Sequence, residues 1–148
     1  MRVTARLVGM HAFVEGFIGC PVLPEPKLIL FMIDTGCTNT TILQDDAVRL
    51  RLNWRDLQRG ESVETANGVV ASRCLPEVQL YLPARRGIFN RSICWVSKFY
   101  PAMCVLPPES DPEEHIPDLS GSRSLLGMDF LLNFPTWHFK DNKLYLDT

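Results

Sequence analysis

The sequence predicts a mostly β domain with one or two short helices, and three observations lead there. Polar and apolar residues alternate with a period of two in "EVQLYL", residues 77–82, as in a half-buried strand. Turn dipeptides separate such runs, Asn67-Gly68 and Asp141-Asn142 above all. Helical spacing is confined to two short stretches, within residues 44–54 and toward the end of residues 125–134. A chain of 148 residues suits one domain, residues 1–148, around one core.

The elements follow in order. Residues 2–8 alternate loosely and read as a strand, and a turn-rich stretch with Gly16, Gly19, Pro21, Pro24 and Pro26 comes next. Residues 28–33, "LILFMI", read as a strand buried on both faces. Residues 40–43 read as a short strand. Residues 44–54 read as a helix, with Ala47, Leu50 and Trp54 on one face and Asp45 and Asp46 in the first turn, where the helix dipole favours acids. Residues 62–72 predict a hairpin turning at Asn67-Gly68. Residues 77–82 and 88–96 continue the sheet. Five prolines and an acidic cluster in residues 101–122 predict a long loop. Residues 125–134 are apolar and end in a short helix, and residues 136–146 form a closing hairpin.

Composition narrows the function classes. A formal charge of −2 argues against a nucleic-acid surface. The run at 28–33 is too short to cross a bilayer. The first residues interrupt their apolar character with Arg6, His11 and Glu15, so no signal-peptide core is read there. The expectation is a soluble cytoplasmic protein with neither nucleic acid nor membrane as partner. The five cysteines include no C-x-x-C pair, and reduced thiols are expected. The three histidines are scattered, so no metal site and no cofactor are predicted.

The chemistry centres on "LILFMIDTGCTNTTI", residues 28–42. A buried-looking strand runs into Asp34. A carboxylate there is costly unless it is solvated, hydrogen-bonded or functional. Thr35 offers a hydroxyl, and Gly36 lets the backbone turn tightly and bring N–H groups near the carboxylate. Thr38, Asn39, Thr40 and Thr41 add polar partners. The stretch is built to present Asp34. Asp129, among apolar neighbours, reads as a structural acid at a helix start. Cys37 reads as a small buried residue.

Three pieces in order resemble the retropepsin-like aspartic proteases: "IDTG" after an apolar strand, "VETANGVV", and "SLLGMDFL". The resemblance covers residues 28–146. It implies a single-lobed acid-protease barrel, with Asp34, Thr35 and Gly36 as the catalytic loop. It implies a flap made by Ala66, Asn67, Gly68 and Val69, and structural support from Thr38, Leu125, Leu126 and Gly127. One Asp-Thr-Gly loop per chain is half an active site, so the resemblance implies a homodimer that cleaves an extended peptide or protein. Met128 departs from the retroviral pattern, which has an arginine after this glycine, and the flap lacks an aromatic tip. An alternative from another class is a dimeric peptide-binding or scaffold module on the same fold, with little or no activity.

Overall fold

The computed structural model of the chain describes residues 1–65, 68–87, 92–106 and 123–148. Among these, strands dominate. They are β1 (Arg2–Val8), β2 (His11–Gly19), β3 (Lys27–Ile33), β4 (Thr41–Ile42), β5 (Gln58–Arg59), β6 (Val63–Thr65), β7 (Gly68–Val70), β8 (Arg73–Arg85), β9 (Ile93–Val105), β10 (Leu125–Leu126), β11 (Thr136–Lys140) and β12 (Lys143–Asp147). The α-helices are α1 (Gln44–Arg49) and α2 (Met128–Leu131), and a 3-10 turn spans Trp54–Asp56. Neither α-helix is long or apolar enough to cross a membrane.

Seven strands close on themselves in the order β1-β2-β3-β10-β4-β9-β8, with β8 returning to β1. Closure removes the open edges that a sheet would otherwise expose. The long strands β8 and β9 form the backbone of the barrel, pairing from Arg73↔Val105 to Arg85↔Ile93. The far edge of β8 is taken in turn by β5, β2 and β1. The hairpin β11-β12 extends the sheet beyond β1, and Asp141 and Asn142 turn it with φ of 51° and 57°. Both residues tolerate this left-handed conformation, which suits a two-residue hairpin. The interior holds Ile18, Ile29, Phe31, Leu80, Leu82, Leu126, Phe130 and Leu146, all fully buried. Each contributes about 1.5–3 kcal/mol of hydrophobic stabilisation.

Several expectations need correcting. The stretch with Gly16 and Gly19 is strand β2, not turns. Ala12, Val14 and Ile18 point inward, and Gly16 is small because a Cβ there would lie 2.8 Å from Leu82 Cδ2. Strand β3 is buried on one face only: Ile29 and Phe31 are sealed and Leu28 is exposed. The helix begun at Gln44 ends at Arg49, with Leu50 as its C-cap, rather than running to Trp54. Arg51 adopts φ 58°, its N–H bonds Val48 O at 2.9 Å, and Leu52 N–H bonds Ala47 O at 2.9 Å. This double bond closes a helix C-terminus, here without the usual glycine.

Residues 101–105 belong to β9 rather than to a loop. Pro101 is accommodated because it falls between the paired residues Tyr100 and Ala102, opposite Glu77, which has φ 51°. The inward face of β8 changes parity there, from Leu75 to Val78. The rest of the expected loop, residues 107–122, lies outside the described residues, as do residues 88–91. The hairpin ladder pairs Thr65 with Gly68, so Gly68 belongs to strand β7 rather than to the turn expected at Asn67-Gly68, and Asn67 lies outside the described residues.

Candidate active site

Strand β3 delivers Asp34 to the end of the barrel. Strand β10 lies beside it, parallel, with Leu125↔Met32 and Leu126↔Ile33 in register. Its other edge meets β4 through Leu125↔Thr41. Backbone bonds continue the ladder at both ends: Met32 N donates to Ser124 O (2.9 Å) and Asp34 N to Leu126 O (3.1 Å). Asp34 is thus fixed by its backbone, while its half-buried side chain stays reachable. Its Oδ1 accepts the Gly36 N–H at 2.9 Å, and Cys37 N–H closes the turn onto Asp34 O at 3.2 Å. Thr35 and Gly36 are exposed at the tip.

Helix α2 anchors the rest of the loop. Two N–H groups that a helix start leaves unpaired find carbonyls on the loop: Met128 N to Cys37 O (2.8 Å) and Asp129 N to Thr38 O (3.0 Å). The Asp129 carboxylate accepts from Thr40 N (2.9 and 3.0 Å), Thr40 Oγ1 (2.7 Å) and Phe130 N (2.8 Å). Thr40 Oγ1 also accepts from Gly127 N (3.1 Å) and Tyr100 Oη (3.3 Å). Thr40 is only 1% exposed, so each of these bonds compensates a buried polar group. Lys98 Nζ donates to Asp129 O from β9.

Gly127 is required by space, not by φ. A Cβ at this position would sit 2.6 Å from Asn39 C and 2.8 Å from Thr40 N, both backbone atoms. The loop and β10 therefore touch main chain to main chain. A second clamp lies behind them. Buried Asp46 accepts from Ser124 Oγ (2.6 Å) and Ser124 N (3.2 Å), and Arg49 pairs with it at 2.7 Å. Ser124 Oγ in turn accepts from Leu43 N (3.1 Å).

Electrostatics leave Cys37 a neutral thiol. Burial pushes its pKa up, and the Asp34 and Asp129 charges add to this. Its Sγ donates to Asn39 O at 2.9 Å. Burial also raises the Tyr100 phenol, which stays protonated and donates to Thr40. Among the described residues no cluster of His, Cys, Asp and Glu could hold a metal.

The structure thus brings Asp34, Thr35, Gly36, Thr38, Leu125, Leu126 and Gly127 into one assembly. Of the expected flap, Gly68 and Val69 lie on β7, which pairs with β6 in a separate two-stranded sheet. Ala66 and Asn67 lie outside the described residues. Sequence reasoning gave Thr40 no specific role, and it missed Tyr100, Lys98 and the Asp46–Ser124 clamp. Asp129 was readable from its place at a helix start. The partners on β9 carry no local signal, because Tyr100 lies 60 residues from Thr40.

Comparison with curated proteins finds no match. Among solved structures the chain is similar to a retropepsin-like aspartic protease from Rickettsia conorii, at 21% identity and a TM-score of 0.57. The likeness covers 99% of this chain and 98% of that one, and it shows a retropepsin-like fold. The aspartyl protease family profile matches residues 27–130, which run from the start of β3 into α2 and contain Asp34 and Gly127. On that match, the chain belongs to the aspartyl protease family.

Proposed function

We propose that the protein is a homodimeric aspartic endopeptidase. The observation that carries this reading is a single Asp-Thr-Gly loop, rigidly held, with Asp34 reachable and Thr35 and Gly36 exposed at its tip. One carboxylate lacks the partner the chemistry needs. A second copy related by a two-fold axis supplies it, and an isologous contact places identical loops face to face.

Two carboxylates sharing one site resist double ionisation and hold one proton between them, as aspartic proteases generally do. The ionised Asp34 takes a proton from a water molecule, which attacks the peptide carbonyl. The protonated Asp34 of the other protomer donates a hydrogen bond to the carbonyl oxygen, and a proton then passes to the leaving nitrogen. The Gly36 N–H steadies the carboxylate. Thr35, exposed at the tip, bonds across the axis to its counterpart's loop. The hairpin β6-β7 covers an extended substrate and adds strand-like backbone bonds. No step uses a metal or a covalent intermediate.

The test pairs sedimentation with hydrolysis of a peptide library at several protein concentrations. Specific activity falls on dilution below the dimer dissociation constant, in step with the dimer fraction. A statine-type mimic, whose hydroxyl replaces the attacking water, inhibits. Full activity in a monomer would overturn the shared site. A dimer that binds peptides without cleaving them would favour the scaffold reading instead.

A further inference from the structure

The fold assembles a group of thiols that the proposed mechanism does not use. Cys74 on β8 and Cys104 on β9 are directly opposed in the antiparallel ladder. Opposed residues project from the same face, and their Cα atoms lie about 4.5–5.5 Å apart. That span falls within the roughly 4.4–6.8 Å that a disulfide bridges. Both thiols are free and half-buried. Cys104 also pairs with Thr41 on β4. Thr41 Oγ1 and Cys37 Sγ each donate to Asn39 O at 2.9 Å, so the pair lies beside the loop that carries Asp34. On the other strand, Cys74 follows the end of β7 by four residues, at the base of the hairpin.

We propose that Cys74 and Cys104 are a reversible disulfide site, closed by a peroxide-class oxidant and reopened by a small thiol. One thiol loses its proton and attacks the peroxide, giving a sulfenic acid and releasing water. The second thiol displaces the hydroxyl of that sulfenic acid as a second water, and the S–S bond forms. Two thiols are oxidised and one peroxide is reduced. Cross-strand Cβ atoms stand about 4.5–5.5 Å apart, against about 3.5–4.5 Å in a disulfide, so the strands must draw together slightly. The resulting strain keeps the bond reducible, which suits a labile bridge more than a structural one. Burial raises the Cys104 thiol, so oxidation is slow rather than immediate. Once closed, the bond ties the base of the hairpin to the strand beside the Asp34 loop.

The experiment treats the native, fully reduced protein with hydrogen peroxide and follows free thiols, intact mass and the cross-linked peptide map. The expected result is a fall from five thiols to three (five minus the two joined), a mass loss of two hydrogens, and a peptide joining Cys74 to Cys104. Dithiothreitol restores all five. Cys74→Ser and Cys104→Ser each block the change, and Cys37→Ser leaves it intact. A bridge to Cys37, a bridge between chains, or oxidation to sulfinic acid without a bridge would overturn the assignment. The map of the wild-type chain decides even if a serine variant fails to fold. A reversible loss of turnover on oxidation rests on the peptidase reading above. The thiol count and the map do not, so the two can fail separately.

Discussion

The loop carrying Asp34 and the hairpin β6-β7 are held in opposite ways. The loop is fixed by partners distant in sequence: Leu126 and Asp129 beyond the hairpin, and Tyr100 on β9. Its key hydroxyl, on Thr40, is sealed. Among the described residues, β6 and β7 form their own two-stranded sheet, and Gly68 and Val69 are exposed, Val69 at 72%. A segment with few buried contacts opens at low free energy without disturbing the core. On the proposed reading, the contrast separates a carboxylate held in place from a hairpin that covers the substrate.

The sharpest way to break this contrast is to remove the charge and keep the scaffold. Asp34→Asn retains an oxygen for the Gly36 N–H but can neither take a proton from water nor cycle one. Peptide hydrolysis should drop by about 10²–10⁴-fold. The melting temperature should hold, and a variant with wild-type turnover would exclude Asp34 from the chemistry.

Next comes the close contact beneath the loop. Gly127→Ala places a methyl group against the Asn39–Thr40 backbone, and overpacking of this kind costs about 1–3 kcal/mol. Gly36→Ala meets only Asp34 Oδ1, at 3.2 Å, and should unfold the protein less. Urea melts of both variants compare them directly. Equal stability would mean that the loop and β10 separate more easily than their geometry implies.

Thr40→Val keeps the shape and deletes the hydroxyl. Gly127 N–H and Tyr100 Oη lose their acceptor, and Asp129 loses a donor. Leaving such groups unpaired costs about 1–3 kcal/mol. A neutral result in chemical denaturation would show that water replaces these bonds at no cost.

On the hairpin the balance should reverse. Gly68 sits at φ 110°, and a β-branched residue there is strained by about 1–2 kcal/mol. Because the hairpin stands apart from the barrel ladder, Gly68→Val should reduce turnover more than global stability. Wild-type turnover in this variant would refute the role of the hairpin as a cover.

The smallest effect lies far from both regions. Arg2 beside Asp147 holds that carboxyl below its ordinary range, through bonds of 2.7 and 2.9 Å. A depressed carboxyl stabilises above its unfolded pKa, and that contribution is lost as pH falls through the folded pKa. Arg2 is 40% exposed, so screening keeps the effect under about 1 kcal/mol. Melts of Asp147→Asn should match wild type in acid and fall slightly below it near neutral pH. A larger gap in acid than at neutrality would reverse the assigned sign.

Sequence alone determined the features whose cause is local. A strand ending on Asp34, a glycine whose N–H reaches that carboxylate, an acid at the start of α2, and the Asp141-Asn142 turn each follow from neighbours a few residues apart. The mostly β class follows for the same reason, since period-two alternation is a local pattern. Tertiary structure decided the rest. Gly16 looked like a turn residue, and only the side chains of Leu82 and Phe31 against it explain a glycine within a strand. Pro101 looked like a loop marker, and only its position opposite Glu77 admits it to β9. The helix begun at Gln44 stops after Arg49 and is closed by Arg51 at positive φ, where no glycine announces it. The bonds from Thr40 to Asp129 join residues 89 apart. Their existence depends on β10 entering between β3 and β4, and no local pattern encodes where a strand from elsewhere in the chain will lie.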